Sequence, residues 1–183
     1  MAVRPVRIYG DPVLRQKARD VAAVDDTVRE LIVDLRETMK AYNGVGLAAN
    51  QIGVPQRVLV IEVPIDEERR VRLALVNPVI RERHGSESGE EGCLSIPGVW
   101  EDVTRAQKVV VEGLDGEGKS VRVEAEGYLA RALQHEVDHL DGVLFTDRLS
   151  SLKRQFLRRQ LEALARGELP EDYRPPRAGG GVI

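Results

Sequence analysis

The sequence predicts an α+β fold: antiparallel β-sheets packed around a central helix, with a further helix at the C-terminus. Three observations carry this reading. Apolar residues recur at helical spacing near the N-terminus, Val-rich and partly alternating runs fill the middle, and helical periodicity returns in the last third. Strands grouped between helices, rather than alternating with them, favour α+β over βαβ units.

Each element has a local reason. Asp11-Pro12 followed by VLRQKA reads as a short helix, with Asp as N-cap and Pro at the first helical position. Thr27 and Glu30 have capping-box spacing ahead of a helix whose Val28, Leu31, Ile32, Leu35, Met39 and Tyr42 share one face, with Gly44 as its terminator. RVLVIEV, VRLALV, QKVVVEGL and KSVRVEAE read as strands between Arg57 and Glu126, the last two joined by a turn at Asp115–Gly118. The polar, Gly-rich stretch Gly85–Gly92 reads as a loop leading into Cys93. GYLARALQHEVDHLDG reads as a helix closing at Gly142. Leu149, Leu152, Phe156, Leu157, Leu161 and Leu164 mark a second one ending near Gly167 and Pro170. The expected organisation is one catalytic domain over residues 1–166, with a flexible Pro/Gly-rich tail over 167–183.

Composition narrows the function. A length of 183 residues suits one domain, and 42% hydrophobic residues is enough for an ordinary core. A net charge of −3 argues against whole-protein binding to nucleic acid. No apolar run approaches the ~20 residues of a membrane helix. The start, MAVRPVRIYGDP, has no apolar signal-peptide core, so a cytoplasmic protein is expected. With one Cys there is no intrachain disulfide, and with three His any metal site draws on a short supply.

The chemistry begins at His135-Glu136-Val137-Asp138-His139, an HExxH sequence. At about 100° per residue the two imidazoles lie on one helical face and can converge on one metal, with Glu136 beside them. Leu129, Leu133, Val137 and Leu140 form a separate stripe, so the helix can bury its leucines and present its histidines to a cleft. The plainer alternative is two ordinary helix histidines with a chance Glu. Asp138 reads as a supporting or surface carboxylate. For a third ligand, the HExxHxxGxxH extension of metzincin peptidases fails, because Phe145 stands where His is required. Glu162, the candidate in a thermolysin-like arrangement, lies opposite the leucine stripe of its helix, facing solvent. Cys93 is left, although a lone Cys is more often an inert buried residue.

Three segments carry a resemblance. Glu91-Gly92-Cys93-Leu94-Ser95 (EGCLS), Gly44–Gln51 (GVGLAANQ) and HEVDHLDG resemble, in order and separation, the three motifs of bacterial peptide deformylase, from the N-terminus to about residue 166. The resemblance implies removal of the formyl group from the N-terminal formyl-methionine of nascent peptides, releasing formate. It implies one divalent metal on Cys93, His135 and His139. Iron(II) is the commonest occupant in that family, and zinc, nickel or cobalt are alternatives. Three protein ligands leave a position for water, the catalytic arrangement, in which the cation brings water's pKa to about 7. Glu136 would carry the proton, while the Gln51 amide and the Leu94 backbone N–H would face the developing oxyanion. Val45, Gly46 and Gly92 would line the peptide's path, and Tyr128, Arg131 and Ala132 the methionine pocket. Trp100 reads as a buried structural residue more readily than as a cover for substrate. Lys153, Arg154, Arg158, Arg159 and Arg166 read as a solvated helical face, with ribosome contact as the functional alternative. No membrane or DNA partner is expected. A zinc peptidase and a non-enzymatic binding protein of the same fold are the competing functions.

Overall fold

The computed structural model describes residues 2–176. A 3-10 turn, Pro12–Arg15, opens the chain where a short helix is expected. Asp11 caps it by accepting a hydrogen bond from the Val13 N–H. Helix α1 (Asp26–Ala41) is followed by strand β1 (Gly46–Ala48), a 3-10 turn at Ala49–Ile52, and strands β2 (Val58–Pro64) and β3 (Arg70–His84). Strands β4 (Glu87–Cys93), β5 (Ile96–Arg105), β6 (Lys108–Leu114) and β7 (Ser120–Glu126) come next. Helix α2 (Gly127–Leu140), a 3-10 turn at Phe145–Arg148 and helix α3 (Ser151–Ala165) complete the order. No helix among the described residues is long and apolar enough to cross a membrane.

Two antiparallel sheets result. One has five strands in the order β1-β2-β3-β6-β7, and the other is the β4-β5 pair. Strand β2 shows why the large sheet has a helix on each face. Side chains alternate along a strand, and here Leu59, Ile61 and Val63 pack with Leu133, Val137 and Leu140 of α2, while Val58 and Val60 pack with Leu35 and Met39 of α1. A strand buried on both sides reads as a near-continuous apolar run, as VLVIEV does apart from Glu62, whose carboxylate pairs with Arg70 and Arg72. A third cluster joins Ile96, Val99 and Val103 of β5 to Leu161 and Leu164 of α3 and to Phe145.

Several boundaries differ from expectation for identifiable reasons. Helix α1 is capped by Asp25, whose carboxylate accepts from the Val28 N–H at 3.0 Å, so Asp25 takes the role expected of Thr27. The left-handed residue after α1 is Asn43 (φ 55°), one position before Gly44. Gly85–Gly92, expected as a loop, is largely strand β4, because its backbone pairs with β5 from Glu87 to Gly92. The Arg131 guanidinium also donates to the carbonyls of Glu87 and Gly89. On α3, Leu152 and Phe156 belong to the expected leucine stripe yet are exposed, since the helix buries only Leu161 and Leu164.

Candidate metal centre

Helix α2 delivers two of the three converging donors. Its leucine face is anchored in the sheet, which leaves His135 and His139, one turn apart, facing the β4-β5 pair. Cys93 ends β4, where the pairing register shifts between Gly92 and Cys93. His135 Nε2 and His139 Nε2 are 3.2 Å apart, and Cys93 Sγ lies 3.3 Å from His139 Nε2. The three ligand atoms all fall within 4.8 Å of one another. Sulfur and imidazole nitrogens crowded together with their lone pairs converging form a donor set suited to a transition metal or zinc.

The surroundings set the protonation of these groups. Burial pushes the Glu91 carboxyl up, but hydrogen bonds from Arg105 and His135 outweigh it and hold Glu91 well below the usual carboxylate range. An ionised carboxylate only accepts, so His135 Nδ1, 2.8 Å from Glu91 Oε1, carries a proton. Burial lowers the His135 imidazole, but Cys93 and Glu91 outweigh it and raise the group well above its usual range, so a metal on Nε2 would displace the proton held there. Burial, together with His135, pushes the His139 imidazole well below its usual range and so keeps it neutral. Burial lifts the Glu136 carboxyl to about 7, against the opposing pull of His135. Glu136 Oε2 and His139 Nδ1 are buried without a hydrogen-bond partner among the described residues.

Beneath the donors runs a buried ionic network. Arg105 Nε and Nη2 both donate to Glu91 at 2.8 Å, and its Nη1 donates to Asp138 at 2.6 Å. Asp138 also accepts twice from Arg148 at 2.7 Å, and Glu91 accepts from Arg131 at 2.8 Å. Asp138 is thus the supporting carboxylate of the two readings open to it.

Gln51 approaches from the turn after β1. Its Oε1 accepts from the Ala48 N–H at 3.0 Å, which fixes which end of the amide is which. The Nε2 therefore points at Ser95 Oγ (3.1 Å) and Cys93 Sγ (3.7 Å). Gly46 makes room for the Glu136 side chain, since a Cβ there would lie 2.5 Å from Glu136 Oε1. Gly92 does the same for Trp100, whose ring would lie 2.5 Å from an added Cβ.

A cavity of about 510 Å³ opens over this group. Val45, Gly46, Gln51, Gly92, Cys93, Leu94, Tyr128, Arg131, Ala132, His135 and Glu136 all line it, while His139 sits behind them, 1% exposed.

The family model for polypeptide deformylase matches residues 3–155. The chain belongs to the polypeptide deformylase family. It is 51% identical over 166 residues to the peptide deformylase of Alkalilimnicola ehrlichii, covering 91% of this chain and 93% of that protein. The crystal structure of peptide deformylase from Thermus thermophilus superposes with a TM-score of 0.83 at 45% identity, covering 91% of this chain and 100% of that one. That of the Ehrlichia chaffeensis peptide deformylase in complex with actinonin gives a TM-score of 0.85 at 37% identity, covering 93% and 100%.

Against this deformylase framework, some residues stand differently from expectation. Trp100 is 64% exposed and lines the cavity, so it is not a buried structural residue. It sits beside Gly92, where no side chain competes for the space. Arg131 lines the cavity, yet its guanidinium is committed to Glu91 and to the carbonyls of Glu87, Gly89 and Val103. Sequence reasoning missed Arg105 altogether and gave Glu91 no role. Glu91 sits within EGCLS, next to the Gly that precedes the Cys, and that adjacency was the available signal; Arg105 had none. The expected tail falls partly on 177–183, which lie outside the described residues. Of the described part, Pro170, Asp172, Tyr173 and Arg174 line the same cavity.

Proposed function

We propose that the cleft of this chain is the active site of a peptide deformylase, built within a single catalytic domain over residues 1–166. The enzyme is a metal-dependent hydrolase that removes the formyl group from the N-terminal formyl-methionine of newly made polypeptides and releases formate. The observation that carries the reading is the convergence of Cys93, His135 and His139 at one end of the cavity, with Glu136 and the Gln51 amide beside them.

Cys93, His135 and His139 fit a divalent metal by donor type and approach, and would hold it. Iron(II) is the proposed occupant, with zinc, nickel or cobalt able to replace it; thiolate and imidazole suit all of these. When bound, the ion supplies a Lewis acid that makes water available as a nucleophile near neutral pH. The remaining work falls to the chain. Glu136, buried and with one oxygen unpartnered among the described residues, accepts a proton from the attacking water and passes it to the departing amine nitrogen, which leaves poorly as an anion. The Gln51 Nε2, held in orientation through Ala48, and the Leu94 N–H donate to the oxygen of the formyl carbonyl as charge builds there. Val45, Gly46 and Gly92 border an extended peptide, giving backbone recognition that does not read side chains. Tyr128 and Ala132 offer apolar surface to the methionine side chain, and Arg131 closes that pocket with its aliphatic stem.

The test is formate release by metal-loaded protein from a formyl-Met peptide, with the unformylated peptide as control. Glu136→Gln should keep the metal and lose turnover. Cleavage of the internal peptide bonds, or near-normal activity in Glu136→Gln, would sink the assignment.

Two further proposals attach to this reading. The site of action is the cytoplasm, where nascent chains emerge. Helix α3 contacts the ribosome through the exposed Arg154, Arg159 and Phe156, while Lys153 and Arg158 are already paired with Glu101 and Glu162. Charge reversal at Arg154 and Arg159 should weaken salt-sensitive ribosome association, and association insensitive to salt would count against it.

A further inference from the structure

After α3 the chain, over residues 166–174, stays against the body of the protein. Gly167, left-handed at φ 83°, reverses its direction, with the Glu168 N–H donating to the Ala163 carbonyl at 3.0 Å. Residues 170–174 then form a closed turn. The Tyr173 N–H donates to the Pro170 carbonyl at 2.9 Å, and Arg174 Nη1 donates to the carbonyls of Glu171 and Tyr173. This turn reaches both walls of the cleft. On one side the Tyr173 phenol lies close to that of Tyr42, at the start of the Tyr42–Gly46 wall. On the other, Pro170 packs over Gly98, where an added Cβ would meet its Cγ at 3.1 Å. Gln160 of α3 holds the same wall by donating to the Gly98 carbonyl at 2.9 Å. Pro170, Asp172, Tyr173 and Arg174 line the cavity that also contains Cys93, His135 and Glu136, and they lie beyond the residues matched by the family model, 3–155.

We propose that residues 170–174 are a strap that grips the peptide downstream of its methionine, with the Tyr173 ring as the gripping surface. The proposal rests on the cleft's being a peptide site. Each extended residue advances about 3.4 Å, so a peptide anchored by methionine near His135 moves towards the cleft mouth with every residue added. Tyr173 has its ring half-buried among the lining residues. It can therefore offer an aromatic face at little ordering cost. Affinity should rise with peptide length until the strap is reached and then level off.

The experiment uses binding rather than turnover. Trp100, the sole tryptophan, lines the same cavity, so its fluorescence reports occupancy by unformylated peptides, which carry no formyl group to hydrolyse. The full zinc-loaded chain is titrated with methionine amide and with Met-initiated di-, tri- and tetrapeptide amides, alongside Tyr173→Ala and Tyr173→Phe. The ratio of tetrapeptide to methionine-amide affinity should fall about three- to tenfold in Tyr173→Ala, the range for losing one aromatic contact. Tyr173→Phe, which keeps the ring, should retain most of the ratio. An unaltered ratio in Tyr173→Ala overturns the proposal, and so does a rise, which would make the strap an obstacle. Failure to release formate from any formylated peptide would sink the deformylase reading instead, with the titration still deciding the strap.

Discussion

Replacing Arg105 with Met removes the charge at the centre of the buried network while roughly keeping side-chain length. The wild-type guanidinium makes three charge-assisted hydrogen bonds, two to Glu91 and one to Asp138, and it is 5% exposed. Breaking a buried ion pair from one side typically costs about 3–5 kcal/mol, because the orphaned charge stays behind. Here the carboxylates keep other partners: Glu91 retains Arg131 and His135, and Asp138 retains both bonds from Arg148. The expected loss is therefore at the lower end, about 3 kcal/mol. It would be read as a fall in the urea midpoint of the metal-loaded protein at unchanged slope. Combining Arg105→Met with Glu91→Gln should cost less than the sum of the two, since the second change removes the charge that the first orphans. A loss below about 1 kcal/mol, or strict additivity, would refute the view that these groups stabilise the fold as a coupled set.

Gln51→Ala should lower kcat for formate release by about 10²–10³-fold, the usual effect of deleting one oxyanion donor, and metal content measured in parallel should not change. Gly46→Ala places a methyl group where Glu136 Oε1 now lies, 2.5 Å from the added Cβ. The displaced carboxylate should cost on the order of 10²-fold in kcat, checked against an unchanged circular dichroism spectrum. Acid sensitivity should follow Glu91. Its carboxyl is held below the usual range in the folded protein by Arg105 and His135, despite burial, so it binds protons more readily when unfolded. Its contribution is complete above about pH 5 and is lost as pH falls through and below the ordinary carboxylate range near 4. Urea-unfolding free energies should decline over that window, and Glu91→Gln should show a shallower decline; parallel curves would exclude Glu91 as the source.

What could be read from the chain depended on how local each cause was. The HExxH pair on α2 was legible because helical geometry alone places His135 and His139 together, and β2 because VLVIEV is apolar at every position but Glu62. Strand β4 was not, since ESGEEGC has the composition of a loop and becomes a strand through its partner β5 and through Arg131, 44 residues beyond Glu87. Strand β5 was missed with it. Asp25 displaced Thr27 as helix cap because two neighbouring residue types can both cap, and only the backbone decides between them. Arg105 illustrates the limit. Its carboxylate partners lie 14 and 33 positions away, with nothing in the intervening sequence to connect them. Trp100 was misread because a lone tryptophan favours burial on average, while here glycine at position 92 clears a shelf for it at the cleft.

Helix α2 has a consequence for how this enzyme can change over time. One rod both seals the sheet with Leu133, Val137 and Leu140 and aims His135, Glu136 and His139. Any shift in how the leucines seat themselves rotates or slides the reactive groups by the same amount. Thermal adaptation and turnover are therefore mechanically geared to each other in this molecule, and drift in the interior must be compensated elsewhere along the rod before the chemistry will tolerate it.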